Sequence, residues 1–449
     1  MGSSHSRGAW LLALFASGCV DVLMFGSARQ APPPSGSVVV EGQAGAQTAP
    51  PPPPQATSSG QVTVVEGGSA GATPPPPVVY ASSTSTPPPA TVYAPSTPTP
   101  SPTAYIGSGD GVMGLALGEN HTCSLAATGQ VRCWGYNQHG ELGVGTSQHP
   151  ADGYVSGIGD ASDGTVRAIA AGGYQTCALT SAGRVWCWGS NHEGQVGSGS
   201  VSDSPVRTPT LVRGLSDVAA LSLGDATSCA ITRSGALYCW GANGQRQIDD
   251  SSRRQLPSAT RVPGLERVEQ VAVGNYHLCA LTAGRVTCRG ELAPLAGSVG
   301  ALDQVTEVSA GWGHSCAIRG GYAYCWGKTY LGILGQGRSC PSSSGCGPDA
   351  LLPPTPVQGV SGAVQIEGHD YHTCVRTQTG GVVCWGNNQG HSFAADLPAE
   401  PSQTAHPVAG FERVDALFVG GAHVCALRGG AAACGGNDWA GAVRGARAF

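Results

Sequence analysis

From residue 177 the chain reads CALTSAGRVWCWG. Apolar and polar positions alternate through one short run, break at a Gly-containing turn, then alternate through a second. A period of two on both sides of a tight turn predicts an antiparallel β-hairpin. The pattern is written seven times, each with a Cys on both strands. The pairs are Cys123 with Cys133, Cys177 with Cys187, Cys229 with Cys239, Cys279 with Cys288, Cys316 with Cys325, Cys374 with Cys384 and Cys425 with Cys434. No long segment shows the 3.6-residue apolar period of a helix, so the pattern predicts an all-β fold.

The Cys spacing is ten in four hairpins and nine in three. In the nine class the loop has two residues: Ala283-Gly284, Gly320-Gly321 and Gly429-Gly430. Two-residue loops need positive φ, which Gly supplies at little cost. In the ten class the loop has three residues, and the third is always Gly: Gly129, Gly183, Gly235 or Gly380. That is the left-handed position of a G1 bulge. Counted back from either turn, the two Cys face each other at a non-hydrogen-bonded site. There Cα atoms lie about 4.5 Å apart, a separation a disulfide bridges. Zinc ligation fits poorly, because none of these pairs has the CxxC spacing.

Ahead of each hairpin lies an apolar run ending in Gly or close to it, such as LALG, LSLG, VAVG or VSAG. Behind each lies a Gly-rich segment and then a short strand such as TPTLVRGL or PVQGV. Four short strands at a period of about 50 residues predict a β-propeller blade. Seven blades in a ring leave no open sheet edge.

These residues resemble the RCC1 (regulator of chromosome condensation) repeat, also called the alpha-tubulin suppressor repeat. WGYNQHGELG at 134–143 and WGSNHEGQVG at 188–197 carry its Trp-Gly and Asn-x-x-Gly-x-Leu-Gly signature. WGANGQRQI, WGKTYLGILG and WGNNQG carry it in part. The resemblance implies a seven-bladed β-propeller over 103–449. Repeat four departs: Arg289 stands where Trp is expected, the Asn-Gly loop is missing, and a trimmed blade is expected there. Repeat seven has Gly435 in place of Trp. The resemblance also implies a structural role, through bonds to loop backbone, for the His two residues before the first Cys: His121, His277, His314, His372 and His423. The Trp of Trp-Gly is expected to pack the blades.

Composition narrows the setting. Of 449 residues 11% are charged, the net charge is −5 and no basic patch dominates, which argues against nucleic acid as partner. Seventeen Cys is an odd number. Fourteen belong to the hairpins, Cys340 and Cys346 bracket a polar loop and are expected to pair, and Cys19 is left over. So many pairs imply an oxidising compartment. Residues 1–30 read as an export signal: Arg7, the apolar AWLLALFA, then ASGC, which resembles a bacterial lipobox with Cys19 as the lipidated residue. Ala16 stands where Leu is usual, and cleavage after Gly26-Ser27-Ala28 is the alternative. The segment is too short to span a bilayer and is interrupted by Asp21. Residues 31–102 hold 19 of the 33 prolines. Such a tract cannot bury a core and reads as a disordered tether.

The expected function is a non-enzymatic, monomeric binding module that uses no cofactor or metal. It is placed at the outer membrane or cell surface through Cys19, or else secreted, with a protein or glycan partner. Guanine-nucleotide exchange, as the family resemblance implies, and inhibition of an enzyme are the alternatives. The Gly-x-x-His loops should share one face. Beside them stand Tyr174, Tyr276, Trp312 and Tyr371, with Glu119, Asp225 and Asp370. Aromatic rings in turns suit recognition. The rival readings are a mere cover for the channel, or binding by the longer loops 144–164 and 336–356.

Mass spectrometry of the mature protein without reductant should find eight disulfides and a diacylglycerol on Cys19. Free thiols at the hairpin cysteines would contradict the pairing.

Overall fold

The computed structural model describes residues 111–149, 151–159, 162–337, 350–394, 397–437 and 442–443. The export segment with Cys19, the proline-rich tract and the expected pair of Cys340 and Cys346 lie outside these residues.

The seven hairpin pairs are bonded as the spacing predicts. Cys123 is joined to Cys133, Cys177 to Cys187, Cys229 to Cys239 and Cys374 to Cys384 across the three-residue loops. Cys279 is joined to Cys288, Cys316 to Cys325 and Cys425 to Cys434 across the two-residue loops. In each hairpin the two Cys are direct partners in the strand register. Their Cα atoms lie 4.0–4.1 Å apart, somewhat closer than the expected separation. Both turn classes form as required. The third-position glycines Gly129, Gly183, Gly235 and Gly380 have φ between +77° and +83°. In the two-residue loops both positions are left-handed, Ala283 included at +48°. Seven disulfides suit a protein that resides outside the cytoplasm.

The hairpins are the middle of seven consecutive antiparallel sheets arranged as a seven-bladed β-propeller. Inner strands run Val112–Leu117, Val166–Gly172, Val218–Leu223, Gln270–Val273, Val305–Ala310, Ala363–His369 and Ala416–Val419. Together they line a central cavity of about 100 Å³. Five blades have four strands. Blades 4 and 7 have three among the described residues. The trimming expected of blade 4 is real, and a short helix, Ala296–Gly300, takes the place of its missing loop. The stretch PTAYIGSGDGVMGLALG aligns with PTLVRGLSDVAALSLG of a later repeat, which makes 103–106 the expected final strand of blade 7, and these residues lie outside the described ones. Ring closure is nevertheless visible: Val112 N–H donates to the Gly430 carbonyl at 3.1 Å.

A clasp recurs between blades. The Trp188 indole N–H of blade 2 donates to the Glu141 carbonyl of blade 1 at 2.8 Å. Trp240 does the same to Gln195 at 2.8 Å, Trp385 to Ile333 at 3.1 Å and Trp134 to Ala442 at 2.7 Å. The last Gly of the Asn-x-x-Gly-x-Leu-Gly loop lets the indole approach. A Cβ on Gly143 would stand 2.7 Å from Trp188 Nε1.

Beside the indole, the His of one blade meets a hydroxyl of the next. His121 Nε2 pairs with Thr176 at 2.9 Å, His277 with Ser315 at 2.8 Å, His314 with Thr373 at 2.8 Å and His423 with Thr122 at 2.7 Å. Gln175 substitutes for His and accepts from Ser228 at 3.2 Å. The expected bond to loop backbone is therefore corrected, because the partner is a side chain on the next blade. Thr176 and Thr122 spend their hydroxyl protons on the Glu141 and Ala442 carbonyls. His121 and His423 must then donate from Nε2, which fixes their tautomer. Burial holds both imidazoles neutral, with pKa values near 3.

Indole and hydroxyl are present or absent together. Seams 7/1, 1/2, 2/3, 4/5 and 5/6 have both. At seam 3/4 the residues at the His and hydroxyl positions are Thr227 and Leu278, and Arg289 stands in place of the Trp. At seam 6/7 Val424 replaces the hydroxyl, leaving His372 Nε2 without a partner, and Gly435 replaces the Trp. Seam 4/5 is intermediate, since Trp326 Nε1 finds no carbonyl where blade 4 lost its loop. The ring is thus two clasped arcs, blades 7-1-2-3 and blades 4-5-6. They meet at two seams that lack the clasp: besides apolar packing and backbone bonds, seam 3/4 has Arg289 donating to the Pro263 carbonyl at 3.1 Å and pairing with Asp250 at 2.9 Å on its exposed side, and seam 6/7 has Gln365 bonding the Leu417 N–H and C=O.

Two consequences are measurable. Thr176→Val should strand His121 Nε2 and cost about 1–3 kcal/mol, whereas Val424→Thr should give His372 its partner and recover about 1 kcal/mol. Paired denaturant titrations read both signs. Glu141 is fully buried, and burial pushes its carboxyl up to about 7. Because the folded pKa exceeds the unfolded one, stability falls as pH rises from about 4.5 to about 7 and then levels. Gln195 and Gln247 occupy the matching place in blades 2 and 3, each accepting a backbone N–H at 3.0 Å as Glu141 does at 2.8 Å. Glu141→Gln should therefore raise the melting temperature at pH 8 and change it little at pH 4.5. Equal shifts at both would refute the ionisation argument.

Candidate functional site

The seven loops between inner strand and hairpin share one face of the ring. Neighbouring loops are joined by backbone bonds: Glu119 N–H to Gly173 C=O at 3.0 Å, Trp312 to Asp370 at 2.7 Å and Gly421 to Gly118 at 3.0 Å. Each loop has two positions between the strand-end residue and the His position, and five of these fourteen positions hold Gly or Ala. The seven residues that the sequence nominated stand at such positions, beside Asn120 and Asn275.

Three of the four nominated aromatics form one arc. Tyr276 meets Trp312 at 6.0 Å between ring centres, and Trp312 meets Tyr371 at 5.4 Å. Tyr330 extends the arc from Tyr371 at 5.9 Å. Tyr276 is 37% exposed and Tyr330 44%. Lys328 Nζ sits 4.3 Å from the Trp312 ring centre and pairs with Glu291 at 2.8 Å, so the centre of the arc is braced from below. Tyr174 stands apart, in a second cluster with His139 at 4.6 Å and Tyr136 at 5.9 Å.

Between the clusters lies the acidic mouth of the channel. Glu119 and Asp370 meet carboxyl to carboxyl. Burial and then this contact push Glu119 up to about 9. Burial acts against the Asp370 charge too, but His369 outweighs it and holds Asp370 well below the usual carboxylate range. Asp225 is raised by burial and by Asp370. A polar cleft of about 600 Å³ opens outward from Asp225 past Gln245, Arg254, Asn275 and Tyr276, beside seam 3/4. The mouth is lined by acidic side chains, and the arc offers flat, partly exposed rings on a rigid frame.

Sequence reasoning missed Tyr330, Lys328, Tyr136, His139 and His369. The first four lie in the loops after Trp-Gly, where the family signature masks any other role. His369 had a visible signal, since every other blade has Gly at that place. Of the rival loops, 144–164 is described in most of its length and 336–356 at its ends.

The comparisons with known proteins agree with this architecture. The Regulator of chromosome condensation (RCC1) repeat matches at residues 114–141, 166–195, 218–247 and 368–391, and in a second form at 182–231 and 234–281. The chain carries RCC1 repeats at these residues, within a seven-bladed propeller. It is 32% identical over 180 residues to the human E3 ubiquitin-protein ligase HERC2, a match covering 39% of this chain and 4% of that one. It is 32% identical over 190 residues to the Arabidopsis thaliana mitochondrial RCC1 domain-containing protein RUG3, covering 39% and 41%. The chain thus spans less than half the length of these relatives. Among solved structures it resembles yeast RCC1 (Prp20) bound to Kap60, with a TM-score of 0.59, 20% identity, and 69% and 78% of the two chains covered. Saccharomyces cerevisiae Prp20p, in a study of its binding to Gsp1p and histones, gives 0.58, 21%, 69% and 80%. At such identity these structures speak for the fold.

Proposed function

We propose that this chain is an exported binding propeller, held to a membrane through lipidated Cys19, that captures a protein partner on its Gly-x-x-His face. The aromatic arc Tyr276–Trp312–Tyr371–Tyr330 is the observation that carries this reading. Its rings span three blades and stay partly exposed, although each blade already has its packing. Large rigid aromatics are the usual anchors of protein interfaces. An arc this wide suits a protein better than a single sugar ring. The seven disulfides support export, and residues 31–102 then act as the tether. No helix among the described residues is long and apolar enough to cross a membrane.

A second reading, guanine-nucleotide exchange, draws on the binding of Prp20p to Gsp1p. It needs a GTPase in the same compartment, and a disulfide in every blade argues for a compartment without one. Inhibition of an extracytoplasmic enzyme would use the same arc and is a special case of the proposal.

Trp312→Ala combined with Tyr276→Ala should abolish capture of the partner from an envelope extract while the melting temperature barely moves. Unchanged capture by the double variant would assign binding to the longer loops.

A further inference from the structure

The sevenfold pattern breaks at one place on the binding face. Six blades put Gly at the end of the inner strand: Gly118, Gly172, Gly224, Gly274, Gly311 and Gly420. The reason is steric. A Cβ on Gly118 would stand 2.1 Å from the His121 ring, and one on Gly224 would stand 2.3 Å from the Gly274 carbonyl. In blade 6 the strand register puts His369 there, opposite His372 as Gly172 is opposite Gln175. The next residue, Asp370, takes a left-handed backbone at φ +33°.

The His369 side chain makes no hydrogen bond to a neighbouring blade among the bonds described. It is 12% exposed and lines the channel, and its Nδ1 is sealed from solvent without a hydrogen bond. Nδ1 lies 3.4 Å from Asp370 Oδ1. Glu119 arrives from blade 1. Its Oε2 and Asp370 Oδ2 both close over Gly421, each 2.9 Å from the point a Cβ would occupy. One ligand atom from each of Glu119, His369 and Asp370 thus falls within 4.8 Å of the others.

We propose that Glu119, His369 and Asp370 form a binding site for a divalent transition-metal ion of the zinc or manganese kind, at the mouth of the channel. One imidazole nitrogen with two carboxylates is a donor set for such ions, whereas calcium favours oxygen alone. Two ligands on one tetrahedral zinc stand about 3.4 Å apart, so the three ligand atoms, within 4.8 Å of one another, need draw in by no more than about 1 Å each. Asp225 lies near enough for its charge to act on Asp370 and His369, and it adds to the attraction for a cation. The ion has a structural consequence. Glu119 belongs to the arc of blades 7-1-2-3 and His369 and Asp370 to that of blades 4-5-6. The metal therefore bonds one arc to the other across seam 6/7, where the clasp is missing, and leaves its open positions facing the binding surface.

The site is tested on the full-length oxidised protein, stripped with chelator and titrated with zinc or manganese chloride in a calorimeter. The expected result is one ion per chain with micromolar or tighter affinity for at least one metal. His369→Gly restores the residue of the other six blades, so it should fold and melt in chelator no lower than the parent, yet bind at least 100-fold more weakly. Glu119→Gln should weaken binding likewise, and added metal should raise the melting temperature of the parent but of neither variant. Absence of stoichiometric binding below millimolar metal would overturn the site, and so would binding undiminished in both variants. These readouts need no partner, so they stand or fall apart from the capture experiment.

Discussion

Everything in this ring depends on how one blade is held to the next. A four-stranded sheet has two apolar faces and cannot persist alone, so the seams set the stability of the whole. Here a buried indole donates to the preceding blade's loop carbonyl, and a neutral His donates to a hydroxyl that shares that carbonyl. Both are polar groups sealed from water, and each is costly unless paired. Their mutual satisfaction fixes the angle at which blades meet, which apolar contact alone would leave loose. Disulfides act one level down. They tie each hairpin to itself in register, so that the strand presenting Trp and His is rigid before it meets its neighbour.

Much of this could be read in the sequence. A period of two, a Gly at the third loop position or two left-handed residues, and opposed Cys at separations of nine or ten determine the hairpins and their register. The Trp recurrence announced packing but did not say against what. That answer needs the carbonyl of Glu141 or Gln195, a backbone atom on another repeat that no side-chain pattern encodes. The His role was misassigned for the same reason. Yet the signal was present in the alternation of His-Thr, His-Ser, His-Leu and His-Val at 121, 314, 277 and 423, because the second residue of each pair serves the previous blade. Reading repeats singly hides a partnership between repeats.

The binding face shows the opposite balance. Tyr276, Trp312 and Tyr371 were visible as turn aromatics, and they do form one arc. Tyr174 did not join it, since blades 2 and 4 are separated by blade 3, which has Ala226 in the matching place. Tyr330 and Lys328 escaped notice because the family signature accounts for their loop. Departures from the repeat proved the better guide. Arg289, Gly435, Leu278 and Val424 mark the two seams without the clasp, and His369 marks the channel mouth. In a repeat protein the regular positions build the frame, and the residues that break the rule without helping the frame are where function is to be sought.

Native-state hydrogen exchange, resolved by peptide on the metal-free oxidised protein, tests the clasp most directly. The account predicts openings of lower free energy in peptides bordering seams 3/4 and 6/7 than in those bordering 1/2, 2/3 and 5/6, with 3/4 lowest because no inner-strand side chain bridges it among the bonds described. Uniform protection around the ring, or earliest opening at seam 1/2, would contradict it.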